Sequence, residues 1–169
     1  MNYEVKNVTA YHVTQNSFDI NDIIKNESRV FSNEKECTEI QFECLKPDGL
    51  GSRADAFFVC RYEDIEAWAH ELFCYHGNMK KQYEYNVLKL ELDGKLFWAD
   101  IAPHDNYESY SKLLGEKNLE KEKCAIRYYW SSVIDNDDFN EKSIGSKESY
   151  EGLFWGKAKI VKIEVRKGG

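Results

Sequence analysis

Nothing in this 169-residue sequence approaches the ~20 consecutive apolar residues that a helix needs to cross a bilayer, so membrane anchoring is not expected. Residues 1–6 carry no basic stretch leading into an apolar one, and acidic residues come early. Neither a signal peptide nor an organellar transit peptide is expected. The five cysteines (Cys37, Cys44, Cys60, Cys74 and Cys124) are odd in number and form no C-x-x-C pair. That usage reads as free thiols in a reducing compartment, the cytoplasm. There is no G-x-x-x-x-G-K-[ST] loop, no G-x-G-x-x-G and no G-x-S-x-G, which disfavours ATP hydrolysis, a Rossmann dehydrogenase and an α/β-hydrolase. Basic residues are the minority, 23 against 30 acidic ones, for a net charge of −7. A broad nonspecific nucleic-acid surface is therefore not expected, because phosphate affinity comes mainly from Lys and Arg; one local basic patch stays compatible with the composition.

Apolar residues make up 42% of the chain, enough for an ordered core, and aromatics reach 14%, so rings must supply part of that core. The length fits a single α+β domain over residues 1–169 that folds without disulfides or metals.

Loose alternation over residues 3–14 predicts one or two short strands. Ser17 or Asp19 can cap a short helix carrying Ile20, Ile23 and Ile24. Residues 36–45 read as either extended or helical, and residues 47–51, Pro-Asp-Gly-Leu-Gly, as a turn. The apolar run 54–60 reads as a buried strand with Cys60 as a small core residue. A helix over 62–76 then places Ile65, Trp68, Ala69, Leu72 and Phe73 on one side, and Gly77-Asn78 ends it. Residues 83–92 alternate as a strand, Asp93-Gly94 signals a hairpin, and 95–101 form the return strand. Residues 118–130 predict a helix with Leu119, Cys124 and Ala125 inward. Residues 134–149 predict a polar, mobile loop, and 153–165 a last strand whose polar positions are Lys157, Lys159, Lys162 and Arg166.

His12 stands in the short apolar segment Tyr11-His12-Val13-Thr14. By itself it reads as a histidine hydrogen-bonded inside the fold. Gly51-Ser52-Arg53 precedes one predicted strand and Glu151 precedes the last. Polar groups at strand starts can converge on one sheet edge. Such a set suits chemistry at a glycosidic carbon bonded to nicotinamide. A histidine orients a ribose hydroxyl, an arginine pairs with the pyrophosphate, and a carboxylate stabilises the oxocarbenium-like charge as the bond breaks. Weaker sets are His70, Cys74 and His76 as metal ligands, with no second cluster to complete a site, and Asp100 with His104 as an acid–base pair. No metal is expected. Packing is the favoured role for Trp130, and a solvated face for the lysines of the last strand.

Five segments, in order, carry a resemblance: Tyr11-His12-Val13-Thr14; Gly51-Ser52-Arg53 leading into Phe57-Phe58-Val59; Phe97-Trp98-Ala99-Asp100; residues 125–130, Ala-Ile-Arg-Tyr-Tyr-Trp; and Glu151 ahead of Leu153-Phe154-Trp155-Gly156. Over most of its length the chain resembles a bacterial domain family, the DUF2441-like group, which looks related to the ADP-ribosyltransferases. The resemblance implies a split β-sheet with flanking helices that binds NAD as substrate. It gives His12 and Glu151 catalytic roles, with Tyr11, His12, Thr14, Ser52, Arg53, Phe58 and Trp68 around the NAD. The middle position of a His, Tyr, Glu triad stays open between Ser52, Phe57, Phe58 and Trp68. Glu148 competes with Glu151, which is preferred because it abuts the strand. The implied activity is transfer of ADP-ribose to RNA, DNA or protein, as a toxin in a toxin–antitoxin or phage-defence module, with an antitoxin protein as the implied partner. The alternatives are NAD hydrolysis by the same residues and a degenerate, non-catalytic binding module of the same fold.

Overall fold

The computed structural model describes residues 2–26, 33–75, 82–142 and 147–169. In chain order the elements are β1 (Glu4–Thr14), β2 (Ile23–Ile24), α1 (Asn33–Cys44), β3 (Phe57–Val59), α2 (Ile65–His70), β4 (Tyr83–Asp100), α3 (Ala102–Leu114), α4 (Leu119–Ser131), β5 (Ile134–Asp135), α5 (Asn136–Glu141) and β6 (Tyr150–Gly168). Among the described residues this is a mixed α/β chain with five α-helices and an open, mostly antiparallel sheet of six strands. The strand order is β1-β4-β6-β2, with β3 on β6 and β5 on β4. No helix among the described residues is long and apolar enough to cross a membrane.

Packing divides the chain into two compact units. The first holds Met1–Tyr3, Glu27–Phe57 and Leu96–Trp155, and the second Glu4–Asn26, Phe58–Lys95 and Gly156–Gly169. The core of the first unit is largely aromatic, as the composition requires. Phe42, Phe97, Tyr129, Phe139, Leu153 and Phe154 are essentially inaccessible. Phe42 meets Tyr129 edge-on at 4.9 Å between centroids, and Trp98 stacks on Phe139 at 4.6 Å. Two buried indole N–H groups of this unit find partners: Trp130 donates to the Phe42 carbonyl (2.9 Å) and Trp98 to Asn136 (3.2 Å). The inward face of α4 is Glu122, Ala125, Ile126, Tyr129 and Trp130, a three-and-four spacing. Leu119 and Cys124, expected inward, lie off that stripe and are exposed.

In the second unit β1 pairs antiparallel with β4 from Glu4↔Lys95 to Thr14↔Asn86. Val13, Cys60, Ile65, Ala69, Tyr83, Tyr85 and Val87 form its core, with Tyr11, Trp68 and Phe73 against it. Burial pushes the Cys60 thiol up to about 12, which makes it an inert packing residue.

Several expectations are corrected. Asp93-Gly94 does not turn a hairpin, because β4 runs through it. Gly94 pairs with Val5, and Asp93 accepts a hydrogen bond from the Asn7 amide (2.9 Å). Asn7 sits at φ 53° in a bulge of β1 between Val5 and Val8. The bulge lies in β1, opposite Gly94, whose own φ of 151° favours glycine. The helix expected at residues 17–24 is a turn and the short β2. Asn21 is left-handed (φ 75°), and Asp22 caps the Asp19 amide. The run 54–60 holds a 3-10 turn at Arg53–Asp55 and only three strand residues, with Phe57 and Phe58 half-buried. Leu72, expected on the inward side of its helix, is exposed. Residues 134–149 are not all loop, since α5 buries Phe139 and caps itself with Asp135. Helix α3 was not foreseen, although Pro103 in its first turn and Gly115 (φ 65°) after its end are a start and a stop signal. Gly77-Asn78 and His76 lie outside the described residues.

Candidate functional site

The first unit contains one dense polar cluster inside its aromatic core. Ser52 caps the 3-10 turn Arg53–Asp55: its hydroxyl accepts from the Ala54 amide (3.2 Å) and donates to Glu43 (3.0 Å). The same Glu43 oxygen accepts from the Arg53 amide at 2.8 Å. The turn therefore points the Arg53 side chain into the unit, where the residue as a whole is 6% exposed. The guanidinium donates to the Glu151 carboxylate and to the Tyr129 hydroxyl, and its Nε reaches Glu39 at 3.2 Å. Its plane lies over the Phe42 ring (4.6 Å) and the Tyr129 ring (4.9 Å). Tyr129 OH in turn donates to Glu151 at 2.7 Å.

Burial is the largest influence on both partners of Glu151. It opposes charge on Arg53, but the carboxylates of Glu151 and Glu39 outweigh it and hold the guanidinium well above its usual range. It also pushes the Tyr129 hydroxyl well up, so that group stays protonated and donates. Glu151 is the second residue of β6 and is 4% exposed, so the strand backbone aims it. Glu148, the competing carboxylate, is exposed in the turn before β6.

Close packing anchors the Ser52-Arg53 segment. The Trp155 indole N–H donates to the Ser52 carbonyl (3.0 Å), and a Cβ at Gly51 would fall 2.5 Å from Trp155 Cε2. Gly51→Ala is therefore expected to destabilise the chain by about 1–3 kcal/mol, the usual range for overpacking. Urea unfolding of the variant against the wild type measures it.

Tyr11, His12, Thr14, Phe58 and Trp68 belong to the second unit. Successive strand residues point to opposite faces, so Tyr11, opposite Lys89, and His12, opposite Leu88, leave β1 on different sides. His12 Nδ1 bonds the Phe58 carbonyl at 2.8 Å, so that nitrogen carries the proton and Nε2 is the acceptor of the neutral ring. Burial pulls the His12 pKa below its ordinary 6.5, only partly offset by the Phe58 carbonyl. Because the fold prefers the neutral ring, the unfolded chain binds the proton more readily. The stability this supplies is complete above about 6.5 and is lost as pH falls from there through the folded pKa. Thermal midpoints between pH 7 and 5.5 are thus expected to fall more steeply for the wild type than for His12→Gln. Equal slopes would rule out His12 as the source. Thr14 accepts from the Asn16 amide (3.1 Å), and the Trp68 indole N–H is buried without a partner among the described residues.

Of the residues expected around NAD, the first unit brings together Ser52, Arg53 and Glu151. No family model matches the chain, and no curated protein matches it in sequence. Tyr129, Glu39 and Phe42 complete the cluster and were not foreseen. The one signal for Tyr129 is its place on the inward stripe of α4, where a buried hydroxyl needs a partner. Among the weaker sets, Asp100 caps α3 through the Ala102 amide (3.0 Å), and His104 is buried against Phe42. His70 is exposed, and no group of three metal-ligating side chains occurs among the described residues.

Proposed function

We propose that the chain is an NAD-dependent ADP-ribosyltransferase that modifies a macromolecule, with Glu151 as its catalytic carboxylate. The observation that carries this reading is the convergence of Arg53, Tyr129 and Glu151, from three separate segments, on one point. In the reaction the bond between nicotinamide and C1′ of its ribose breaks. The electron pair leaves with nicotinamide, and an acceptor oxygen or nitrogen bonds C1′ and gives up its proton. Glu151 offsets the positive charge that develops on the ribose. Arg53 offers a planar fork that matches a pyrophosphate. NAD must compete with Glu151 and Glu39 for that fork, so substrate binding and release of the carboxylate are one event. The setting proposed is a bacterial toxin acting in the cytoplasm, held in check by an antitoxin or deployed against phage.

The test is incubation with NAD labelled in the adenylate, with nicotinamide release and label transfer to protein, RNA and DNA both followed. Release with label on a macromolecule supports the transferase. Release with free ADP-ribose alone assigns NAD hydrolysis instead. Absence of release overturns the enzyme reading. One observation favours a non-catalytic binding module in that case: Arg53 is already compensated by two carboxylates and two ring faces, as in a purely structural ion pair.

A further inference from the structure

The second unit carries a small groove, about 150 Å³, lined by Tyr11, Tyr62, Val87, Lys89, Lys162 and Glu164. It is too small for a whole dinucleotide, since sites for drug-sized ligands run to ~300–1,000 Å³. It suits one flat ring. Tyr62, first residue of the 3-10 turn Tyr62–Asp64 that leads into α2, is 58% exposed, and its ring meets Tyr11 at 5.3 Å. Arg166 lies 5.7 Å from the Tyr62 centroid. The groove and its margin thus hold three cations, Lys89, Lys162 and Arg166, against one carboxylate, in a chain whose net charge is −7. Glu164 bonds Arg166 (2.8 Å) and lies 3.9 Å from Lys162. Lys89, directly across from Tyr11, has no ion pair among the described residues.

An exposed aromatic face flanked by lysines is how proteins hold single-stranded nucleic acid: bases stack on the ring and phosphates meet the cations. A carboxylate inside such a groove is unfavourable for phosphate and favourable for a hydroxyl donor. It therefore points to the ribose 2′-OH. We propose that this groove binds single-stranded RNA, with a base on Tyr62 and backbone phosphates on Lys89 and Lys162. The site is independent of the Arg53 cluster. It would also give an RNA acceptor a place to dock, but its test needs no NAD.

Fluorescence anisotropy with a labelled 12-nucleotide single-stranded RNA of mixed sequence reads it. The wild type is expected to bind at 50 mM salt and to weaken about ten-fold by 200 mM, as for two to three phosphates neutralised. Lys89→Ala and Lys162→Ala should each reduce the magnitude of the salt slope by about 0.7. Tyr62→Ala should weaken binding about ten-fold, while Tyr62→Phe keeps it. Three results overturn the proposal: no binding by the wild type at 50 mM salt, binding unchanged in all three alanine variants, or equal binding of DNA of the same sequence. Failure of NAD cleavage with RNA binding intact would remove the enzyme reading alone.

Discussion

Arg53→Met is expected to cost about 3–5 kcal/mol of stability, the range for breaking a buried ion pair from one side. The side chains of Arg53 and Glu151 are 8% and 6% exposed, so water can take over for neither. Removing the guanidinium leaves the Glu151 carboxyl in an aromatic core without its counter-ion and with one remaining donor, Tyr129 OH. Glu39, at 16%, lies nearer the surface and can turn outward. For a chain of this length the loss corresponds to a thermal midpoint lower by about 6–20 °C. Arg53→Lys should recover little, because an ammonium cannot reach Glu151, Tyr129 and Glu39 as one planar fork or lie over two rings. The decisive comparison is Arg53→Met with Glu151→Leu: once both partners are replaced, no buried carboxyl is left without its counter-ion. The double variant should be more stable than Arg53→Met alone. Urea unfolding measures all of them, and additive losses would show that the pair does not interact energetically.

The fold was legible wherever a pattern has one reading. The loose alternation of residues 3–14, the apolar stretch of β4 and the last strand read as strands, and the inward half of α4 repeats at three and four. The failures came from local signals with two readings. Asp93-Gly94 fits a hairpin and a continuous strand that faces a bulge, and only the distant partner Asn7 decides. The isoleucines at 20, 23 and 24 fit a helix face, but Asn21 takes a left-handed conformation and Ile20 and Ile23 face solvent. Residues 134–149 look like loop by composition, yet a single aromatic, Phe139, is enough to pin a short helix through Trp98 and Tyr150.

The candidate site was half legible for a related reason. Ser52, Arg53 and Glu151 stand beside strand-like runs, where a short polar residue is conspicuous. Glu39 and Tyr129 sit on helices among many other polar residues and aromatics, so nothing local separates a buried Glu or Tyr from an exposed one. Their roles follow from Arg53: a guanidinium buried this deeply needs compensating carboxylates and acceptors on several sides, and the chain supplies them from α1, α4 and β6. Tyr11 shows the opposite case. Adjacency to His12 suggests a shared site, but the period of a strand sends the two side chains apart, and Tyr11 faces Lys89.

Glu151→Gln is expected to lower nicotinamide release from NAD by a factor on the order of 10²–10³, the scale seen when one preorganised electrostatic contact to a transition state is removed. The amide keeps the size of the side chain and can still accept from Tyr129 and Arg53, so the geometry of the cluster survives while the negative charge does not. Arg53 retains Glu39 as its counter-ion at 3.2 Å. The variant should therefore stay folded, with circular dichroism like the wild type, so a loss of turnover reports chemistry rather than unfolding. Glu148→Gln, altered on an exposed turn, should turn over NAD as the wild type does. If Glu151→Gln turns over NAD at the wild-type rate while remaining folded, the carboxylate serves only to neutralise Arg53. If Glu148→Gln is the variant that fails, the catalytic carboxylate is Glu148. On the proposed mechanism Glu151 leaves Arg53 before it faces a ribose, and Glu39→Gln gives a second readout of that proposal. It removes a competitor for the same guanidinium, so a pyrophosphate should bind Arg53 more readily, and KM for NAD should fall while kcat holds. A KM that is unchanged or rises would separate Arg53 from the pyrophosphate.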